Sequence, residues 1–589
     1  MASNFFNKAS LVMVPDAPID GKLPSVKPED RSGDFTFSRG SNLAATRVNK
    51  SGLIEKGREN LLLQSNQFDT TWTFHTTTSK VGGQAGYDGS NNAWLWTAAT
   101  GTFTRMSQSP SLSGVITSSI YAKAGDTNFI AVQPFGANEA YVKFNLSTGA
   151  VHETYGNLID YKIESVGNDW WRCSVTANSS SSQTTIYLLD SAGNFANSNT
   201  DSIYIQDAQL EQGLVATEYI ETTTAAVQKG ILENLPRLDY SGGASCPSLL
   251  LEPQRTNLIT NSEYTGAYLK LNITTTSNQE TSPEGVDNAT EIETTSTGQC
   301  HSSVAFTAAT KNYVGSVFVK KRDFDYIYME MGGAYAWFNI NTGVLGNGSA
   351  YGSDWTYVDH SIEDYGNGWY RCVLVGNCVT AGAYTFRSVQ PVPSNGTYNS
   401  GLAGGVTYWY GAQIELGSYP TSYIPTYNSS VTRSDDSCLA TSVSDVIGQT
   451  QGTMFFEIDQ PYADGVKGAW SISDGSSTNR LTMNTLDVNT TTFTLSIATN
   501  YAGGSTKLAS VNKTYGLHKV AIQYSGTTLK LFVDGALADS VTTDGFGNYT
   551  NFYIGANQAG VGDEIREFKQ AVLFPTALTD DECIALTTI

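Results

Sequence analysis

The chain repeats itself. Residues 167–173 read GNDWWRC and residues 366–372 read GNGWYRC, and the likeness continues on both sides of that heptapeptide. NLLLQSNQF at 60–68 answers NLITNSEY at 257–264, and SIYAKAGD at 119–126 answers SVFVKKRD at 316–323. FNLSTGAV at 144–151 answers FNINTGVL at 338–345, AQLEQG at 208–213 answers AQIELG at 412–417, and TEYI at 217–220 answers TSYI at 421–424. The order is collinear throughout, and only the spacing drifts. One ancestral unit copied in tandem, with loops free to change length, accounts for this pattern.

Each copy alternates apolar and polar residues between Asn, Gly and Asp punctuation, which is the period of a half-buried strand. Thr-Gly between apolar pairs in FNLSTGAV and FNINTGVL marks a hairpin turn. A sheet with one apolar face needs a second sheet to cover it, so each copy is expected to be a two-sheet sandwich or jelly roll. Composition agrees: among 589 residues only 15% are charged and 11% are aromatic, with 32 Tyr, a balance that suits pleated surfaces better than long helices. The fold class expected is all-β and multi-domain.

Six segments follow: 1–30, irregular; 31–59, connector hairpins; 60–226, first sandwich; 227–256, a second connector; 257–432, second sandwich; and 433–589, a third β unit. Pro15, Pro18, Pro24 and Pro28 keep long regular elements out of the first segment, which is expected to dock the chain onto a larger particle. In the last segment Val533-Asp534-Gly535 forms a tight hairpin. Only TALTDDECIALTTI reads as helical, with Thr579 as N-cap and Asp580, Asp581 and Glu582 in the first turn.

A formal charge of −21 argues against nucleic acid or an anionic membrane as partner. No stretch has membrane-spanning length, and MASNFFNKASLVMVPDAPIDG lacks the apolar run of a secretory signal. Seven Cys are too few for a disulfide scaffold; Cys173 and Cys372, at matching positions, read as buried small hydrophobes.

Two resemblances sharpen the expectation. TYGLHKVAIQYSGTTLKLFVDGALADS, then NFYIGANQ, then EIREFKQAVLFPTALTDDE resembles the C-terminal half of concanavalin A-like (laminin G or pentraxin-type) jelly rolls. FTFSRGSNLAATRVNKSGLIEKGRENLLLQSNQF and PRLDYSGGASCPSLLLEPQRTNLITNSEY resemble the connectors that precede carbohydrate-binding-like sandwiches in tailed-phage fibre and head-spike proteins. The resemblance implies a structural virion component, commonly a homotrimer, that contacts capsid or tail proteins and host cell-surface glycans. A capsid decoration protein without a host-binding role, or a glycan-degrading tailspike, is the alternative.

For the glycan site, the repeated heptapeptide supplies the candidates. Period two puts Trp171, Cys173 and Val175 on one strand face and Trp170, Arg172 and Ser174 on the other. In the second copy the faces carry Tyr370, Cys372 and Leu374, and Trp369, Arg371 and Val373. Trp170 with Arg172, and Trp369 with Arg371, lie roughly 7 Å apart along a strand. Such a pair serves as a sugar platform or as a structural cation–π pair sealing the sandwich.

Chemistry beyond binding has few parts. Two carboxylates across a scissile bond would make a glycosidase, and the candidates are Asp323 with Asp325, of which Asp323 is expected to be paired beside Lys320-Lys321-Arg322, and Asp435 with Asp436, expected in a solvated linker. No HExxH, GxSxG or Walker loop occurs. The chain is expected not to be an enzyme and to need no cofactor, with calcium at Asp464, Asp474 or Asp563 the one metal weighed.

Overall fold

The computed structural model describes residues 3–76, 78–99, 103–110, 112–134, 140–179, 183–198, 200–462, 466–489, 491–556 and 566–589. The fold is all-β, and three two-sheet bodies account for most of it. In the first sandwich one sheet runs, edge to edge, Asp160–Gly167, Trp170–Ser179, Gly114–Ala124, Ser202–Gln212, Ala93–Thr97, Ser79–Gln84. The opposite sheet runs Ala150–Tyr155, Tyr141–Asn145, Phe129–Gln133, Thr184–Leu188, Thr104–Gln108, Thr73–Phe74. The second sandwich repeats both orders strand for strand. Its heptapeptide sheet runs from Trp355–Asp364 through Trp369–Cys378 to Ile273–Glu280, and its opposite sheet from Val344–Ala350 to Leu269–Leu271.

The heptapeptide recurs because each half has a separate job. Gly167, Asn168 and Asp169 have φ of 88°, 53° and 62°, and Gly366, Asn367 and Gly368 have 76°, 51° and 80°, so the first half is a left-handed turn that few residue types tolerate. The second half enters the core: Cys173 and Val175 in one copy, Cys372 and Leu374 in the other, are fully buried between the sheets. The Thr-Gly hairpin is fixed by the same strand. A Cβ on Gly149 would sit 2.0 Å from the Trp171 ring, and one on Gly343 would sit 2.8 Å from Tyr370.

The third body is a jelly roll, and here the expected boundaries fail. Its sheets, of nine and eight strands among the described residues, draw on three separated parts of the sequence. Leu11–Met13 lies antiparallel to 571–573, and Phe35–Ser38 pairs with Ser437–Thr441. Ser248–Leu251 pairs with 566–568. Leu11, Met13, Leu23, Phe35 and Phe37 share one core with Trp470, Phe493 and Phe552. Segment 1–30 is therefore not irregular: its residues 11–13 and 25–27 are strands of the jelly roll. Its prolines keep the strands short, but burial of those apolar side chains between the sheets holds the segment in place. The helix Ser3–Lys8 lies against the C-terminal helix Asp580–Thr587, where Lys8 pairs with Glu582.

The connectors also differ from simple hairpins that position the next sandwich. Arg58–Asn60 leads into the first sandwich and pairs with the outgoing Val227–Lys229; Arg255–Asn257 leads into the second and pairs with Val431–Arg433. Each sandwich is thus an insert on a two-stranded stem. The hairpin Thr46–Val48 and Ile54–Lys56 crosses to the second sandwich, where Thr46 Oγ1 donates to Tyr423 O at 2.7 Å and Ile54 N donates to Pro283 O at 2.8 Å. The connectors are thus packed against the sandwiches and the jelly roll of their own chain. The VDG hairpin has φ of 51° at Asp534 and 81° at Gly535, and Thr579 caps the C-terminal helix in a capping box with Glu582. Among the described residues no helix is long and apolar enough to cross a membrane.

Candidate functional site

The four platform residues are buried. Trp170 is 2% exposed, Trp369 1%, Arg172 9% and Arg371 4%. Trp369 packs among Ile54, Phe318, Tyr410 and Tyr423, and its indole Nε1 donates to Thr281 O at 2.9 Å. Trp170 packs with Ala93, Tyr121 and Tyr87. Each guanidinium leans on the ring directly opposite on the neighbouring strand, Arg172 on Tyr121 at 5.3 Å and Arg371 on Phe318 at 5.6 Å. Arg371 Nη2 also donates to Thr421 O at 2.7 Å. No ring face is left for a sugar. A connector in one copy and a loop carrying Tyr87 in the other cover this face of the sheet, so the platform does not form, and the ring under each arginine is Tyr121 or Phe318 and not the neighbouring tryptophan.

The acidic candidates resolve separately. Asp323 accepts the Val406 amide at 2.9 Å, and Asp325 pairs with Lys321 at 2.5 Å. Asp436 is fully buried rather than in a solvated linker. It accepts from Arg237, from Arg39 at 3.4 Å and from the Glu252 amide at 2.9 Å. Glu252 in turn holds Arg237 at 2.5 Å and Arg433 at 2.9 Å. Burial pushes the Glu252 carboxyl up, but Arg433 and Arg237 more than reverse that and bring it down to about 2. These five residues come from FSRG, PRLDY, LLLEP and TRSDD, so the connector motifs encode a buried ionic knot between the bodies. Asp474 caps its own turn, accepting from Ser476 N at 2.8 Å and Asn479 Nδ2 at 2.7 Å. Asp464 and Asp563 lie outside the described residues. Among the described residues no group of three or more His, Cys, Asp or Glu side chains is placed to hold a metal.

A different surface has the makings of a binding site. On the opposite sheet of the second sandwich, Ile327, Met329, Ala336 and Phe338 point inward. Period two therefore turns Tyr328, Glu330, Tyr335 and Trp337 outward. Tyr398, 39% exposed, and Tyr351, 53% exposed, complete an aromatic cluster. Tyr398 lies 5.2 Å from both Tyr328 and Trp337, and Tyr335 lies 6.0 Å from Tyr351. Glu330 sits beneath, accepting from Tyr328 at 2.7 Å, Tyr351 at 2.6 Å and Arg387 at 3.1 Å. His301 is buried beside this pair, and its Nδ1 has no hydrogen-bond partner. Burial, then Arg387, lowers its pKa to about 4 and keeps the ring neutral.

The first sandwich carries a counterpart. Tyr141 and Tyr155 stack at 5.3 Å, Phe195 meets Tyr141 edge-on at 5.2 Å, and the Lys143 ammonium lies 4.6 Å over Phe195 and 2.8 Å from Glu153. The signal was present in the sequence as YIYMEM and AYAWFN, two strands with aromatics at every second position. What alternation does not tell is that the two strands are neighbours.

No family model matches the chain. No curated protein matches it either. Among solved structures, the CBM40 of Ruminococcus gnavus IT-sialidase bound to α2,3-sialyllactose aligns at 19% identity over 24% of this chain and 84% of that one, with a TM-score of 0.21. A SAP-like pentraxin from Limulus polyphemus aligns at 14% identity over 23% of this chain and 69% of its own, TM-score 0.19. The binding domain of Botulinum neurotoxin serotype D aligns at 11% identity over 26% and 40%, TM-score 0.20. Likeness at this level carries no functional argument.

Proposed function

We propose that this chain is a non-catalytic attachment component of a phage particle, a fibre or head spike, whose sandwich modules hold host-surface glycans. The single observation behind glycan binding is the aromatic face of the second sandwich. Partly exposed tyrosine rings there surround a carboxylate–guanidinium pair, the combination that stacks on a pyranose and orients its hydroxyls. Its counterpart on the first sandwich gives two such faces per chain, and several weak sites on one particle gain avidity without new contacts. The particle itself is proposed from the connector resemblance, as is a homotrimer, which mass photometry of the purified chain checks directly.

The test is a Tyr351→Ala/Tyr398→Ala double variant on a glycan array and on host cells. Binding is expected to fall at least tenfold while the melting temperature stays within a few degrees. Unchanged binding by the double variant would remove the face from the argument. One observation favours the alternative of a decoration protein: both Glu330 oxygens already have donors inside the protein. Array silence together with loss of capsid stability on deletion would select that reading.

A further inference from the structure

We propose that the groove between the second sandwich and the jelly roll is a separate oligosaccharide site, selective for neutral or amino-bearing sugars over acidic ones. The proposal rests on the chain being a glycan binder but makes no use of the aromatic face. Two adjoining cavities, of about 210 Å³ and about 370 Å³, share Pro420, Pro461 and Tyr462. The larger lies within the roughly 300–1,000 Å³ range of small-molecule sites, and sites of that kind favour module boundaries.

The groove is walled by both bodies. Tyr419, from the strap that closes the second sandwich, and Tyr462, from a jelly-roll loop, stack across the boundary at 5.3 Å and 5°. Tyr365 lines the smaller cavity and Tyr515 the larger, so aromatic rings recur along the groove. Between them carboxylates outnumber the charged nitrogens: Asp239, Glu252, Glu363 and Glu567 against Arg47 and Arg371 in the smaller cavity, Asp359 and Asp487 beside His360 in the larger. The two guanidiniums of the smaller cavity already have partners within the protein. Arg47 pairs with Glu55 at 2.9 Å, and Arg371 donates to the Thr421 carbonyl. Tyr515 donates to Asp487 at 3.1 Å. Burial, reinforced by Asp239 and Asp459, raises Glu567 to about 7, so near neutral pH it both donates and accepts.

This chemistry sorts glycans by charge. Carboxylates accept from hydroxyl and ammonium groups, and the half-buried rings of Tyr365, Tyr462 and Tyr515 offer apolar surface to sugar residues. A uronate or sialate brought into the same space meets like charge at low dielectric.

The experiment is titration calorimetry of the full chain with three probes: partially deacetylated chito-oligosaccharide, its fully acetylated form, and oligogalacturonate. The first two are expected to bind, the amino-bearing probe more tightly and with greater sensitivity to salt, and the third not to bind. Glu363→Gln/Asp487→Asn should weaken the amino-bearing probe at least tenfold with an unchanged melting temperature. Absence of binding by the first two probes overturns the proposal, as does binding of oligogalacturonate with equal affinity. Loss of binding in Tyr351→Ala/Tyr398→Ala but not in the carboxylate double variant overturns the groove and assigns the probe to the aromatic face; loss in the carboxylate double variant alone supports the groove, and the aromatic face answers to its own array test.

Discussion

At the scale of single residues, burial sets the properties that matter. Arg371 and Arg172 each keep a charge inside the fold by lying over a ring on the adjacent strand, a cross-strand pair in direct register. Glu567 shows the opposite outcome, a carboxyl pushed up to about 7 by burial, then by Asp239 and Asp459. In the unfolded chain a glutamate titrates near 4.3. Between those two pH values the folded protein holds a proton that the unfolded chain has released, so stability falls as pH rises through that window. Glu567→Gln should remove this contribution. Relative to the variant, the parent protein is expected to lose melting temperature between pH 5 and pH 8, as followed by differential scanning calorimetry. Parallel profiles for the two proteins would show that Glu567 is not the group responsible.

At the scale of elements, the smallest strands have the largest consequence. Leu11–Met13 is three residues long, all buried, and pairs with both Ser25–Lys27 and the long Arg566–Phe574 strand. Each such side chain contributes about 1.5–3 kcal/mol on burial. Deleting residues 3–13 should therefore lower the jelly-roll transition by 10 °C or more, or leave the protein insoluble, whereas an independent docking arm would come away without effect. Circular dichroism melts of the deletion and of Leu11→Asp distinguish the two. The position of this strand was not legible beforehand, because three apolar residues among prolines have no period to read. The Thr579-capped helix and the VDG hairpin were legible, since capping and turn geometry depend on neighbours in sequence.

At the scale of the whole molecule, the ionic knot ties the bodies together. Arg39 precedes the first sandwich, Arg237 and Glu252 lie between the sandwiches, and Arg433 and Asp436 follow the second. Ser422 Oγ, in the second sandwich's strap, donates to Glu252 at 2.6 Å. Taking one cation out of such a cluster leaves buried carboxylates uncompensated, at a cost of roughly 3–5 kcal/mol. Arg237→Met is expected to destabilise by about that amount and to separate the calorimetric melt into distinct transitions as the modules uncouple. A single sharp transition in the variant would mean that the knot does not couple them.

The duplication, the strands and the inward set of each sandwich followed from sequence alone, because copying preserves order and period two fixes which side chains share a face. Which face would meet water did not follow. Trp369 and Arg371 sit on the outward parity yet are covered by a hairpin from residues 46–56, and Asp436 reads as linker until Arg237 arrives from 199 positions earlier. Local chemistry determines what a segment can form; long-range packing determines what it lies against, and at Tyr328, Glu330, Tyr351 and Tyr398 only that packing gathers the rings around one carboxylate.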